Sequence, residues 1–197
     1  MVARPWVLDP DRLPTSMGEP AVGSPLAVLL DAARSAPVRA IASEVAAGWT
    51  ADALLHGDLG AANVIVEDSA APLVRFVDLE GAGLGPPEWD LACALDTLGG
   101  LVRQWGCPDV VPAFVAGYRA GGGRASVDPA HLASRALVSG WHGAAGVLVR
   151  GDLAGAGAEA RIHLERSRHW MVVWQRGIAR SAEPAVGAPE TRERGAA

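Results

Sequence analysis

Residues 55–92, LHGDLGAANVIVEDSAAPLVRFVDLEGAGLGPPEWDLA, gather Asp58, Asn63, Asp78 and Asp90 in one turn-rich segment. Asp58 follows His56 and Gly57, and Asn63 comes five residues later. A β-branched run, Val64, Ile65 and Val66, then leads through Asp68, Ser69, Ala70, Ala71 and Pro72 to a second apolar run at 73–77 and to Asp78. Two short strands joined by a turn bring their outer ends together. A hairpin that leaves from Asn63 and returns to Asp78 therefore gathers Asp58, Asn63 and Asp78 at one end. Hard oxygen donors grouped in that way suit Mg²⁺, which takes carboxylates, phosphate oxygens and water. The bland alternative is an ordinary hairpin with polar ends.

In these residues, H-G-D-x-x-x-x-N followed by V-D-L-E, the chain resembles the aminoglycoside and choline phosphotransferases. They are relatives of the protein kinases, whose H-R-D-x-x-x-x-N has the same spacing. The resemblance implies an α+β fold, a mostly helical protein-kinase-like C-terminal lobe in which a small β-hairpin carries the catalytic loop. It makes Asp58 the base facing the acceptor hydroxyl, and Asn63 and Asp78 the ligands of a nucleotide-bound Mg²⁺. Ile65 would lie under the adenine of ATP or GTP, the implied phosphate donor. His56, beside Asp58, is expected to brace the catalytic loop through hydrogen bonds rather than to transfer a proton. Glu80, with Leu79, stands where protein kinases have Phe-Gly, and this Glu is usual in the small-molecule branch. So is W-D-L-A, here Trp89, Asp90, Leu91 and Ala92. Asp90 has two readings: it hydrogen-bonds the catalytic loop, which the resemblance favours, or it favours a helix N-terminus electrostatically.

Protein kinases hold the α- and β-phosphates with a strand-borne Lys paired to a helix Glu, under a Gly-rich loop. The chain contains no lysine, and residues 18–23 have two glycines but prolines within and beside them. Only fifty-five residues precede His56. The resemblance thus covers the C-terminal lobe alone, with the N-terminal lobe absent. Three readings follow. The chain is a phosphotransferase lobe that works with a nucleotide-binding lobe from another chain, on a small-molecule or peptide hydroxyl. It is a pseudokinase-like binding or scaffolding subunit without turnover. Or it is a fragment of a longer phosphotransferase whose start lies upstream.

Outside the motif the composition sets bounds. A chain of 197 residues is one domain with a real core. Half of it is apolar, but no uninterrupted apolar run has the length of a membrane span, and the N-terminus lacks a signal-peptide core. A cytoplasmic protein with no membrane partner is expected. A net charge of −5 argues against nucleic acid. Cys93 and Cys107 have no partners at zinc spacing and are expected as buried, reduced thiols.

The domain reading is a hinge-like loop remnant at 1–25, the phosphotransferase lobe at 26–180 and a disordered tail at 181–197. Five prolines and little periodicity mark the remnant, with Trp6, Val7 and Leu8 as its anchored part. Ser24 and Pro25 open a helix to Ser35, Pro37 a second to Trp49, and residues 81–87 read as a loop. Further helices are expected at about 86–102, 109–120, 126–149 and 155–180, with a flexible connector at 121–123. His131, His142, His163 and His169 read as surface or helix-end residues. Arg161, Arg166, Arg168, Arg176 and Arg180 read as a solvated face. Asp96 and Asp152 have no evident partner, and Trp141, Trp170 and Trp174 read as core. A lobe without its companion exposes Ile65 and its neighbours, with Trp6, Val7 and Leu8 beside them, so a nucleotide-lobe partner or a second copy is expected over that face. A charge at Ile65 would then weaken association, and one at Val149 would act on folding instead.

Overall fold

The computed structural model describes residues 5–13, 18–67 and 73–182. Within them the chain is mostly helical, with two small two-stranded sheets. Ser24 caps helix α1 (Pro25–Arg34): its hydroxyl accepts from the Ala27 amide at 3.2 Å, and Pro25 supplies the preset φ of the first turn. Helix α2 (Ala36–Ala47) starts one residue earlier than Pro37 suggests and stops at Gly48. Val38, Ile41, Ala42 and Val45 bury one face of it.

Strand β1 (Ala53–Leu55) leads into the H-G-D loop, and the hairpin follows as β2 (Val64–Val66) and β3 (Val74–Phe76). The hairpin is antiparallel with Val64 opposite Phe76 and Val66 opposite Val74. Its turn at 68–72 lies outside the described residues. Residues 81–87 are not simply a loop. They contain β4 (Gly83–Gly85), which pairs antiparallel with β1 and so closes the segment between them from both ends. Three-residue strands built from Ala, Leu and Gly carry too few side chains to display a period of two, which is why the pattern did not reveal them.

Helices α3 (Pro87–Trp105), α4 (Val110–Ala120), α5 (Pro129–Val149) and α6 (Leu153–Ala182) complete the fold. Asp128 caps α5 through the His131 amide at 3.0 Å, and Asp152 accepts from Gly155 at 2.8 Å at the start of α6. Asp152 thus has a partner after all. Helix α6 runs to Ala182, and the rest of the expected tail, 183–197, lies outside the described residues. Helix α5 is the hub, packed on α6, α3, α2 and α1. Leu137 and Trp141 meet Leu29, Leu30, Ile41 and Leu164 in the core. Trp170 and Trp174 pack partly buried against it.

Four expectations are corrected by burial. Trp6, Val7 and Leu8 form a 3-10 turn buried against α2 and α5, with Trp6 4.9 Å from the Trp141 ring; they are anchored by burial as expected, and for that reason do not lie on an exposed partner face. Arg166 is not part of a solvated face: it donates to the Asp96 carbonyl at 2.6 Å and pairs with the buried Asp96 carboxylate, tying α6 to α3. Cys93 is buried but Cys107 is exposed. Val149, at the end of α5, is 88% exposed, so a charge there has no core to disturb.

Candidate active site

The loop that carries His56, Gly57 and Asp58 is held by Asp90 and by the His56 ring. Asp90, in the first turn of α3, accepts from the His56 amide at 2.6 Å and from the Gly57 amide at 2.9 Å. Of its two readings, the loop-bonding one therefore holds. Below the loop, His56 donates through Nε2 to the Val77 carbonyl at 2.8 Å, because a carbonyl can only accept. That fixes the tautomer and leaves Nδ1 to accept from the Asp58 amide at 3.3 Å. The Val77 amide in turn donates to the Asn63 carbonyl at 3.0 Å. Histidine thus braces the loop against the strand that leads to Asp78.

Gly57 has a φ of +84°, and a Cβ there would lie 2.3 Å from the Gly81 carbonyl oxygen. The glycine of H-G-D is required both by conformation and by this close approach. Asp78 also has a left-handed φ, +61°, alone among the described non-glycine residues. Backbone strain of that kind, on the order of 1–3 kcal/mol, is characteristic of sites where a side chain must be aimed.

Asp58 is half-exposed and its two carboxylate oxygens differ. Oδ2 receives the Asn63 amide nitrogen at 3.3 Å, and that same nitrogen donates to the Asp58 carbonyl at 2.9 Å. Oδ1 pairs with Arg135 of α5 and faces the Cys93 thiol at 3.8 Å. The Arg135 side chain is only 4% exposed and lies over the Trp89 ring, 5.9 Å from its centroid. Burial pushes the Cys93 thiol up to about 12, with the Asp58 and Asp90 charges adding to it and Arg135 opposing, so Cys93 is a neutral donor at physiological pH.

The hairpin register places Asn63 opposite Val77 with Asp78 next in the chain, and Asn63 touches Asp58, so the three residues start from the same end of the hairpin. Asn63 spends its nitrogen on Asp58, which leaves the amide oxygen as the atom for a cation. That oxygen and the exposed Asp78 carboxylate are hard donors that could hold Mg²⁺ if phosphate and water completed its shell. No cluster of three or more His, Cys, Asp or Glu suited to a metal occurs among the described residues. Ile65 is 48% exposed on the hairpin face opposite Val64 and Val66. Glu80 is exposed.

Arg135 and His142 were not singled out by the sequence for this site. His142 lines a cavity beside Gly57, exposed at one edge and crowded on its protein side, where desolvation and the Arg135 charge lower its pKa. The signal for Arg135 was available: it is the one charge in the run 132–138, otherwise LASALV, and a charge inside a buried turn must be paired. What it pairs with, 77 residues away, was not.

No helix among the described residues is long and apolar enough to cross a membrane. Neither the curated proteins nor the solved structures provide a match. The APH family model, described as the phosphotransferase enzyme family, matches residues 6–136, about two thirds of the chain. That span contains the H-G-D loop, the hairpin, Asp90 and Arg135, and the chain therefore belongs to the APH phosphotransferase enzyme family.

Proposed function

We propose that this chain is the acceptor-side lobe of a kinase that transfers the γ-phosphate of ATP or GTP to a hydroxyl of a small molecule or peptide. The observation that carries the reading is the fixed orientation of Asp58. Arg135 and Cys93 occupy Oδ1 and Asn63 touches Oδ2, while the side chain as a whole is 46% exposed, so Oδ2 has the capacity for one more donor. An acceptor hydroxyl placed there gives its proton to Oδ2 as its oxygen bonds to the γ-phosphorus. The bond from that phosphorus to the β-γ bridging oxygen breaks, and the nucleoside diphosphate leaves. Asn63 and Asp78 are the residues that would hold Mg²⁺, whose contribution is to neutralise charge on the phosphates. Asp90 and His56 act by holding the loop.

The reading includes a partner. Residues 1–197 contain no lysine, so in this reading the cation over the α- and β-phosphates comes from another protein or from a longer form of this one. The hairpin supports this, because Ile65, Val66, Val74, Phe76 and Leu79 are all exposed. A separate nucleotide-lobe protein over Ile65 would supply both the clamp and the cover; a second copy of this chain would supply only the cover. Alone, the chain is expected to bind Mg-ATP weakly and to turn over little. Calorimetry with Mg-ATP and a γ-phosphate transfer assay, each with and without proteins encoded beside it, test this. Micromolar affinity of the isolated chain for Mg-ATP would show that the partner is unnecessary. Transfer that survives Asp58→Asn would remove the proposed base.

A further inference from the structure

Helix α5 contains one charged side chain besides its histidines, Arg135. That side chain is 4% exposed, whereas the Asp58 side chain that neutralises it is 46% exposed. The two partners therefore depend on each other unequally. Asp58 can turn to water at little cost, but a guanidinium inside the core has no water to turn to. Its Nε is buried without a hydrogen-bond partner, so the pair with Asp58 is what compensates it. The buried Trp89 ring, its centroid 5.9 Å from Cζ, supports the arginine, and the next residue, Asp90, holds the loop backbone.

Three donors meet the Asp58 carboxylate, and they are not equal. Arg135 pairs with Oδ1, which also faces the Cys93 thiol at 3.8 Å, and Asn63 reaches Oδ2 at 3.3 Å. A thiol is a weak donor, and the Asn63 nitrogen lies closer to the Asp58 carbonyl, at 2.9 Å. Asn63 thus secures the loop backbone more than the carboxylate, and the charged partner is left to fix the side chain. Stability does not call for a charge there. An apolar side chain of similar volume is often as stable in a core as a buried ion pair, or more so. What the guanidinium adds is direction for Asp58.

We infer that Arg135 is the positioning residue of this site, aiming the Asp58 carboxylate from inside the core, and that Asp58 is in return the counter-ion that lets α5 carry a buried charge. Base and core are then one unit. A change at Asp58 reaches the stability of α5, and a change at Arg135 frees the carboxylate while Asp90 still holds the loop. The inference rests on the phosphotransferase reading for the word base; the coupling itself stands on the ion pair.

Urea denaturation of the full chain tests the coupling, in a double-mutant cycle of Asp58→Asn and Arg135→Met. Asp58→Asn should lower the midpoint further than Asp31→Asn, a control at an exposed acid of α1, and no further than that control once Arg135 is replaced by Met. NMR couplings of the Asp58 side chain, Hα to Hβ and N to Cγ, test the aim. One rotamer is expected in the native chain, and averaging in folded Arg135→Met. Arg135→Lys keeps the charge and loses the planar fork, and it takes over the NMR measurement, with the same expectation, if Arg135→Met does not fold. Asp58→Asn against Asp31→Asn then decides the coupling. An equal loss from Asp58→Asn in both backgrounds, a midpoint no lower than that of Asp31→Asn, averaging in the native chain, or a single rotamer in the Arg135 variant would each overturn the inference. Failure of the function itself looks different: the coupling and the single rotamer persist, but no γ-phosphate is transferred when a nucleotide lobe is supplied.

Discussion

Asp58 is surrounded by groups whose roles can be separated one side chain at a time. Cys93 is the simplest. Its thiol is pushed from an ordinary 9.0 up to about 12, chiefly by burial, so between those values the unfolded chain releases a proton that the folded one retains. Stability therefore falls as pH rises through that window and is untouched below it, by an amount on the order of 4 kcal/mol if the whole shift is expressed. Cys93→Ala should flatten the decline, measured as urea midpoints from pH 8 to 11 for both proteins. In the native state a thiol reagent at pH 8 should modify the exposed Cys107 and spare Cys93, which reacts only on denaturation. Asp90→Asn replaces one of two accepting oxygens by a donor, leaving an amide N–H of His56 or Gly57 facing an NH₂ group. A cost of about 1–3 kcal/mol is expected, seen as a lower urea midpoint.

Between elements, two contacts set the geometry of the site. Gly57 and Gly81 bring the catalytic loop against the segment after Asp78, and Gly57→Ala adds a Cβ 2.3 Å from a carbonyl oxygen. The left-handed conformation alone costs an alanine about 1–2 kcal/mol, and relief of the clash must move the loop, so phosphoryl transfer should fall more than stability does. Comparing activity with the thermal midpoint of the variant checks this. The other contact is Asp96 with Arg166, which locks α3 to α6 behind Asp90. Asp96→Asn leaves a guanidinium buried without its counter-charge and should destabilise the fold by about 3–5 kcal/mol. A loss under 1 kcal/mol on denaturation would mean that Arg166 finds another partner or water.

At the scale of the whole molecule, apolar surface is distributed unevenly. Trp6 to Leu8 are inside, while the hairpin is apolar on one face, where Val64, Val66, Val74 and Phe76 line a groove of about 430 Å³ against Leu98 and Phe114; Ile65 lies on the other face, opposite Arg75 and beside its ion pair with Glu67. Ile65→Asp is expected to weaken association at least tenfold without lowering the thermal midpoint, because the side chain is half-exposed in the single chain. Val149→Asp, at 88% exposure, should change neither. Light scattering across a concentration series, repeated with the neighbouring proteins, distinguishes them; equal behaviour of the two variants would place the interface elsewhere.

The sequence by itself determined the parts of this protein that are written locally. The H-G-D-x-x-x-x-N spacing, the hairpin from Asn63 to Asp78, and the starts of α1, α3 and α5 at Ser24, Pro87 and Asp128 depend on turns, caps and spacings within a few residues. Their chemistry is visible in the letters. Tertiary structure alone decided the rest. It paired β1 with β4 across residues too small to show alternation, buried Trp6 to Leu8, and brought Arg135 to Asp58 and Arg166 to Asp96. An arginine looks the same in a sequence whether water or a distant carboxylate neutralises it. Only the packing of α5 and α6 against α3 excludes the water and makes the carboxylate its partner, and that packing is the summed outcome of the whole core.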